Sequence, residues 1–509
     1  MKLLKKLFSK IFISGLALIL QFALFLSVLL FAEQYFAVLQ IVSAVFGIIL
    51  FFCVISKKES PEFKIPWMFL MLAFPLFGVV VYCMFANSRM PTKFYRRMLE
   101  SACLCKKYFE LTSSENERIK AELGENYGIE AYLRRNAYSR GHLNNRVTYF
   151  PSGEEFYEDL LCELEKAQKF IFMEYFIIDH GKMWEGILSI LKAKAREGVE
   201  VRVMYDDIGC AGLLKSNYRK QLKKFGINCV KFNRFLPVVS GIHNNRDHRK
   251  ITVIDGKVGY TGGVNLADEY INAVKRFGHW KDTAVKICGP AVGNLTALFL
   301  QMFDCTAKSL SNYHEYLDID YEKFDDAGYI NFFGDGPKPI YDEMVGANNY
   351  INILNSAKKY AYITTPYLIP DYNLLSALRN AAFRGVDVRI ITPHIPDKKI
   401  VFNMTRSNYK YLLKSGVKIY EYTPGFIHAK SMIADGQTAF VGTINLDYRS
   451  LVHHYECGAV MHGTPCIKNI EMDILGTLEK SQEITAENFK MGIIPSFLNA
   501  VLNIFAPML

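Results

Sequence analysis

His248-Arg249-Lys250-Ile251-Thr252-Val253-Ile254-Asp255-Gly256 and His428-Ala429-Lys430-Ser431-Met432-Ile433-Ala434-Asp435-Gly436 are one pattern, HxKxxxxD followed by glycine, written twice. Between Lys and Asp each copy is mostly apolar and reads as a strand. Residues two apart in a strand share a face, so each His and its Lys project together. The Asp-Gly pair reads as a tight hairpin turn, with a return strand from Lys257 or Gln437. Beyond each return strand stand a glycine-bearing turn and an asparagine, Gly262-Gly263-Val264-Asn265 and Gly442-Thr443-Ile444-Asn445. Small residues there let backbone and amide groups approach a phosphate closely.

Working outward, the surroundings repeat as well. Ala167-Gln168-Lys169-Phe170-Ile171-Phe172 is echoed by Ala357-Lys358-Lys359-Tyr360-Ala361-Tyr362, and Gly198-Val199-Glu200-Val201-Arg202 by Gly385-Val386-Asp387-Val388-Arg389. Lys224-Phe225-Gly226-Ile227 and Lys414-Ser415-Gly416-Val417 keep the same order. The period is far too long for a solenoid and implies two homologous units. Short β-branched and aromatic runs alternate with amphipathic helices, so the expected class is α/β, with two lobes facing each other across a pseudo-twofold axis. The expected lobes span 141–320 and 321–490.

Two imidazoles, two ammonium groups and two amides are the parts for phosphoryl transfer without a metal. One His attacks phosphorus, the other protonates the leaving oxygen, and Lys with Asn stabilises the non-bridging oxygens. The expected catalytic set is His248, Lys250, Asp255, His428, Lys430 and Asp435, with Asn265 and Asn445 on the substrate. A histidine's tautomer is set by what its other nitrogen touches. Asp282, in Trp280-Lys281-Asp282, and Glu456, in His454-Tyr455-Glu456, occupy matching places after the two motifs and are the expected orienting acceptors.

The chain has 509 residues, room for two or three domains. Its apolar excess gathers at the two ends. Ile11 to Ala32, Phe36 to Ser56 and Ile65 to Ala86 are each uncharged or nearly so and long enough to cross a bilayer, so 1–86 is expected to be a transmembrane region. A cleaved signal peptide competes for the first segment. Lys57, Lys58 and Lys64 flank one side of the third segment and Arg89, Lys93, Arg96 and Arg97 the other. Either the catalytic part lies outside, or one segment is re-entrant or interfacial. Residues 87–140 read as a charged, helical linker, and 491–509 as an apolar segment suited to the bilayer interface.

A net charge of +10 favours an anionic partner, nucleic acid or an anionic lipid surface; the apolar segments favour lipid over nucleic acid. Eleven scattered cysteines without a CxxC pair suit reduced thiols and a catalytic part facing the cytoplasm. No Cys/His cluster has zinc-site spacing, so neither a metal nor a cofactor is expected.

Asn245-Arg246-Asp247-His248-Arg249-Lys250, Thr365-Pro366-Tyr367-Leu368-Ile369-Pro370-Asp371 and Gly442-Thr443-Ile444-Asn445-Leu446-Asp447-Tyr448-Arg449-Ser450, with Pro75-Leu76-Phe77-Gly78 upstream, resemble the phospholipase D superfamily and, within it, the bacterial cardiolipin synthases. The likeness runs from about Phe36 to the C-terminus. Departures are the leading segment 11–32, Cys305 where the family often carries Trp, and His454 where Asn commonly opens the triplet. The resemblance implies a multi-pass protein of the bacterial cytoplasmic membrane that passes a phosphatidyl group from one phosphatidylglycerol to another through a phosphohistidine. It implies His248 as nucleophile and His428 as acid, although the repeat itself permits either assignment. A phospholipase D, a transferase to another alcohol, a nuclease and an inactive lipid-binding anchor are the competing readings.

Overall fold

The computed structural model describes residues 19, 20, 22, 23, 26, 27, 36–86, 90–234, 241–324, 326–489, 492, 499 and 501–508. Most of the expected span over 11–32 and much of the C-terminal segment 491–509 lie outside these residues. The chain forms two compact units, one of Met1–Met90, Arg234–Asn245 and Phe497–Leu509, the other of Pro91–Asn233 and Arg246–Ser496.

In the first unit Phe36–Ile55 is a helix of 20 residues. The segment expected as one span over 65–86 is instead two helices, Pro61–Ala73 and Pro75–Phe85, of 13 and 11 residues. Pro75 has no N–H to give the preceding turn, and a residue that precedes proline is disfavoured in the helical region. Phe74 accordingly sits at φ −141°, ψ 76°. The chain folds back so sharply that a Cβ on Gly78 would lie 2.4 Å from the carbonyl oxygen of Leu70. Further along the hairpin the Trp67 and Tyr82 rings meet edge to face at 5.3 Å. At 1.5 Å per residue each arm is roughly 17–20 Å long, short of a bilayer's ~30 Å core. Side chains of the Phe36–Ile55 helix are described continuously only from 44 to 55, and among the described residues no helix is long and apolar enough to cross a membrane. Apolar side chains face outward all the same: Ile41 is 66% exposed and Leu72 67%.

The second unit holds two sheets. The first contains β1 (Arg146–Phe150), β2 (Phe170–Tyr175), β3 (Glu200–Asp206), β4 (Asn228–Phe232), β5 (Lys250–Ile254), β6 (Val258–Gly262) and β8 (Ala284–Cys288), in the order β1-β8-β6-β5-β2-β3-β4; β7 (His279–Lys281) stands apart. The second contains β9 (Tyr329–Asp335), β10 (Tyr360–Thr364), β12 (Asp387–Pro393), β13 (Lys418–Tyr422), β15 (Ser431–Ala434), β16 (Thr438–Gly442), β18 (Glu456–His462) and β19 (Ser481–Ile484); β11 (Leu368–Ile369), β14 (Gly425–Ile427) and β17 (Leu446–Asp447) lie outside it. Read from β9 its order is β9-β18-β16-β15-β10-β12-β13-β19, the first sheet's order with one strand added. The sequence repeat is thus a repeat of topology. β2 is buried at all six positions, as a central strand covered on both faces must be.

Packing ties the two sheets into one body. The buried helix Val292–Ala307 lies against β2, β4 and β5 and also against β9. The stretch read as a linker forms the helices Thr92–Phe109, Ser113–Leu123 and Tyr127–Asn136. The first of these packs on Val292–Ala307, with Met98 Sδ 3.8 Å from Cys305 Sγ. Its Phe94 ring lies 6.4 Å from that of Tyr455.

Candidate active site

Each HxKxxxxD motif occupies a hairpin, β5–β6 in one lobe and β15–β16 in the other. Asp255 and Gly256 have φ of 54° and 67°, Asp435 and Gly436 54° and 66°. Two successive positive φ values make the turn that matches strand twist, which is why Asp-Gly is there. The Asp255 carboxylate accepts hydrogen bonds from the backbone N–H groups of Gln168, Lys169 and Phe170 at 2.7–2.8 Å. Asp435 does the same with Lys358, Lys359 and Tyr360 at 2.7–2.9 Å. Both are expected in the catalytic set; the structure places them at the far end of the strand, roughly 16 Å of extended chain beyond Lys250 or Lys430. There each carboxylate holds the start of β2 or β10 to the turn.

The histidines sit at the other end, where the lobes exchange backbone bonds. His248 N–H donates to the Tyr455 carbonyl at 2.9 Å, and Tyr455 N–H to the Arg246 carbonyl at 2.8 Å. In the mirror arrangement β14 (Gly425–Ile427) pairs with β7, and His428 N–H donates to the Lys281 carbonyl at 2.7 Å. This exchange crosses the orienting acceptors. His248 Nδ1 is 2.9 Å from both carboxylate oxygens of Glu456, and His428 Nδ1 is 2.6 Å from Asp282 Oδ2. The acid after each motif serves the histidine of the other lobe. Held Nδ1–H toward carboxylate, each imidazole presents Nε2 as the free nitrogen.

The two acceptors differ in length, and the turns beside them compensate. A Cβ on Gly263 would lie 1.9 Å from Asp282 Oδ1, so only glycine admits this carboxylate. At the matching place Thr443 donates its hydroxyl to Glu456, which also accepts from the Ser450 hydroxyl at 2.6 Å. Arg249 is fully buried and donates to the Glu456 carbonyl at 3.2 Å and the Leu298 carbonyl at 3.3 Å, fixing the strand that carries the acceptor.

Lys250 and Lys430 are buried beside the histidines, each donating to the carbonyl of its own motif's His, the first at 2.6 Å. Asn265 accepts from Ile177 N–H at 3.1 Å and donates to the Tyr270 hydroxyl at 2.8 Å. One of its amide hydrogens remains for other use. The side-chain oxygen of Asn445 is buried with no partner among the described residues.

Burial, then the charges of Lys250, Lys430 and His428, push His248 well below the ordinary imidazole range. Burial, then Lys430, lowers His428 to about 4, with Asp282 working against the shift. Burial lowers Lys250 to about 8 and Lys430 to about 7, despite the attraction of the two carboxylates. Burial would raise Asp282, yet His428 and Lys430 together hold it below its usual value. At neutral pH the resting pocket therefore offers neutral imidazoles with free Nε2 lone pairs beside ammonium groups poised to lose their protons. Such a pocket can attack an electrophilic phosphorus and carry its negative oxygens.

Reading the sequence alone misses the hydroxyls of Thr443 and Ser450, the tether made by Arg249, and His454, whose ring centroid lies 5.4 Å from that of His248. His248, His454 and Glu456 are near enough together to hold a metal ion. Spacing could not reveal that group, because His248 joins it only through the fold.

The family model described as "Cardiolipin synthase, PLD-like domain" matches residues 160–276 and 350–475, one segment in each lobe. An uncharacterised protein of Streptococcus mutans serotype c is 44% identical over 87% of this chain and 96% of its own. A cardiolipin synthase of Geobacillus sp. strain WCH70 is 35% identical over 86% of this chain and 87% of its own. Among solved structures, the phosphatidylserine synthase of Haemophilus influenzae Rd KW20 superposes with a TM-score of 0.57 at 15% identity. It covers 75% of this chain and 97% of that one, a likeness of fold. Paired HxKxxxxD hairpins in two like sheets, and relatives matched along most of both chains, lead to one assignment: the chain belongs to the cardiolipin synthases of the phospholipase D superfamily.

Proposed function

We propose that the protein makes cardiolipin by transferring the phosphatidyl group of one phosphatidylglycerol to a second, with release of glycerol. The observation that carries this reading is the crossed pair of buried histidine–carboxylate contacts in a chain whose named relatives are cardiolipin synthases. His248 Nε2 attacks phosphorus and the phosphorus–glycerol oxygen bond breaks as His428 gives that oxygen a proton. His428, now neutral, takes the proton of the second phosphatidylglycerol's hydroxyl, whose oxygen attacks phosphorus and frees His248. The anionic phosphodiester supplies the negative charge that lets His428 hold its proton in the loaded site. Lys250 and Lys430 neutralise the non-bridging oxygens, and Asn265 and Asn445 donate amide hydrogens to them. Asp282 and Glu456 hold the imidazoles in the required tautomer.

The first unit, in this proposal, embeds the protein in the bacterial cytoplasmic membrane beside its lipid substrates, with anionic lipid attracted by the net charge of +10. Outward apolar side chains support membrane contact, and the hairpin at Phe74 supports the re-entrant alternative for the third segment. Its arms return the chain to the side from which it came. Free cysteines throughout suit a catalytic part on the cytoplasmic side.

Purified full-length protein given labelled phosphatidylglycerol as the sole lipid tests the reaction. Cardiolipin and glycerol in equal amounts are expected. Phosphatidic acid as the main product would make the protein a hydrolase, and unchanged substrate would make it a binding protein.

A further inference from the structure

His454 is buried beside the proposed nucleophile, and nothing in the reaction uses it. It is 8% exposed, and neither of its ring nitrogens has a hydrogen-bond partner among the described residues. A buried imidazole left without a hydrogen bond costs free energy, so one beside His248 and Glu456 points to a ligand. Its Nδ1 lies 3.6 Å from Glu456 Oε1, and His248 Nδ1 lies 2.9 Å from the same oxygen. Two bonds of 2.0–2.1 Å at a tetrahedral angle separate their ends by about 3.3 Å. The observed spacings bracket that value.

We propose that His454, with His248 and Glu456, forms a binding site for a borderline transition-metal cation of the Zn²⁺ class, and that occupancy switches the phosphoryl-transfer site off. Two imidazoles and one carboxylate suit Zn²⁺ or Co²⁺, whereas Mg²⁺ and Ca²⁺ prefer oxygen donors. The switch follows from proton placement. In the resting site His248 carries its proton on Nδ1, facing Glu456, and its lone pair on Nε2. A cation on Nδ1 takes that nitrogen's lone pair, so the proton moves through solvent to Nε2 with no net release. Nε2–H has no lone pair to give to phosphorus, and Glu456 is drawn from the imidazole to the cation. The same three residues thus hold either a nucleophile or a metal.

The inhibitory half rests on the function proposed above; the site itself does not. Co²⁺ serves as a visible-absorbing probe for purified full-length protein treated with chelator and then freed of it. Wild type should bind one Co²⁺ with the intense absorption of a tetrahedral site, displaced by Zn²⁺. His428→Ala should bind it equally, although it is inactive. His454→Asn and His454→Gln should bind at least about tenfold more weakly. At one Zn²⁺ concentration the melting temperature of wild type should rise more than that of either His454 variant, while the metal-free proteins melt alike, which separates weakened ligation from lost folding. In turnover, Zn²⁺ should inhibit wild type, EDTA should restore it, and Mg²⁺ should not inhibit. Both His454 variants should work at the wild-type rate without metal and need at least about tenfold more Zn²⁺ for half inhibition. Equal Co²⁺ binding by wild type and the His454 variants, no binding by wild type, or binding that leaves turnover unchanged would each overturn the proposal. If metal-free wild type makes no cardiolipin, the assigned function fails and the cobalt titration alone decides the site.

Discussion

His248 and Glu456 are 208 residues apart in sequence, yet the Nδ1 of one lies 2.9 Å from each carboxylate oxygen of the other. His428 and Asp282 repeat the relationship in the opposite sense, across 146 residues. Neither lobe therefore completes its own histidine.

Removing the attacking or the protonating imidazole should stop the reaction by different routes. His248→Ala and His428→Ala should each lose at least about 10³-fold in cardiolipin formation while melting near wild type. A phosphatidyl substrate with an acidic leaving group needs no proton donor, so it should rescue the covalent step in His428→Ala and not in His248→Ala. Acid-quenched labelling of the protein would display that intermediate. Equal rescue of both variants would refute the assignment of roles.

Crossed orientation predicts a pattern of non-additivity. Glu456→Gln should lower kcat by about 10²–10⁴-fold by releasing the His248 tautomer, and should cost nothing further in His248→Ala. Asp282→Asn should show the same relation to His428→Ala. If Asp282→Asn instead proved silent in the His248→Ala background alone, the pairing would run within lobes rather than between them.

For the motif aspartates the expectation is instability without loss of chemistry. Each accepts three backbone N–H groups, and a hydrogen bond to a charged group contributes about 1.5–3 kcal/mol net, less where the turn is partly exposed to water. Asp255→Ala and Asp435→Ala should each cost about 3 kcal/mol in a denaturant titration. The turnover of the fraction that stays folded should remain near wild type.

On the alkaline side, kcat/KM should fall as pH rises through about 7, where Lys430 loses its proton, and again through about 8 with Lys250. The sign follows from the charge: each ammonium is present below its own pKa and gone above it. In Lys430→Arg, whose guanidinium stays charged, the first fall should vanish and leave the one near 8. A profile flat up to pH 9 would argue against an ammonium requirement.

The doubled architecture is legible in the amino-acid sequence. Repeated runs such as Gly198-Val199-Glu200-Val201-Arg202 and Gly385-Val386-Asp387-Val388-Arg389 anticipate two sheets of like order, because local strand and helix patterns survive duplication. The Asp-Gly turns are readable for the same local reason. Crossing is not, since Asp282 and Glu456 occupy matching places in their own lobes and only the β7–β14 and Asp247–Tyr455 pairings bring each to the other's histidine. Taking the motif as a unit counts Asp255 and Asp435 with the catalytic residues, whereas the strand between Lys and Asp separates its two ends. The break at Phe74 has a visible signal in Pro75, outweighed by the continuous apolar run around it.

Because each histidine waits for an acid from the far half of the chain, a polypeptide leaving the ribosome passes the end of lobe 1 with His248 unable to settle its proton. Chemistry begins only when residue 456 has been made and folded against residue 248. Within the reaction proposed above, a truncated or half-assembled product is then inert toward the surrounding lipid, and the membrane is spared a phospholipid-cleaving fragment.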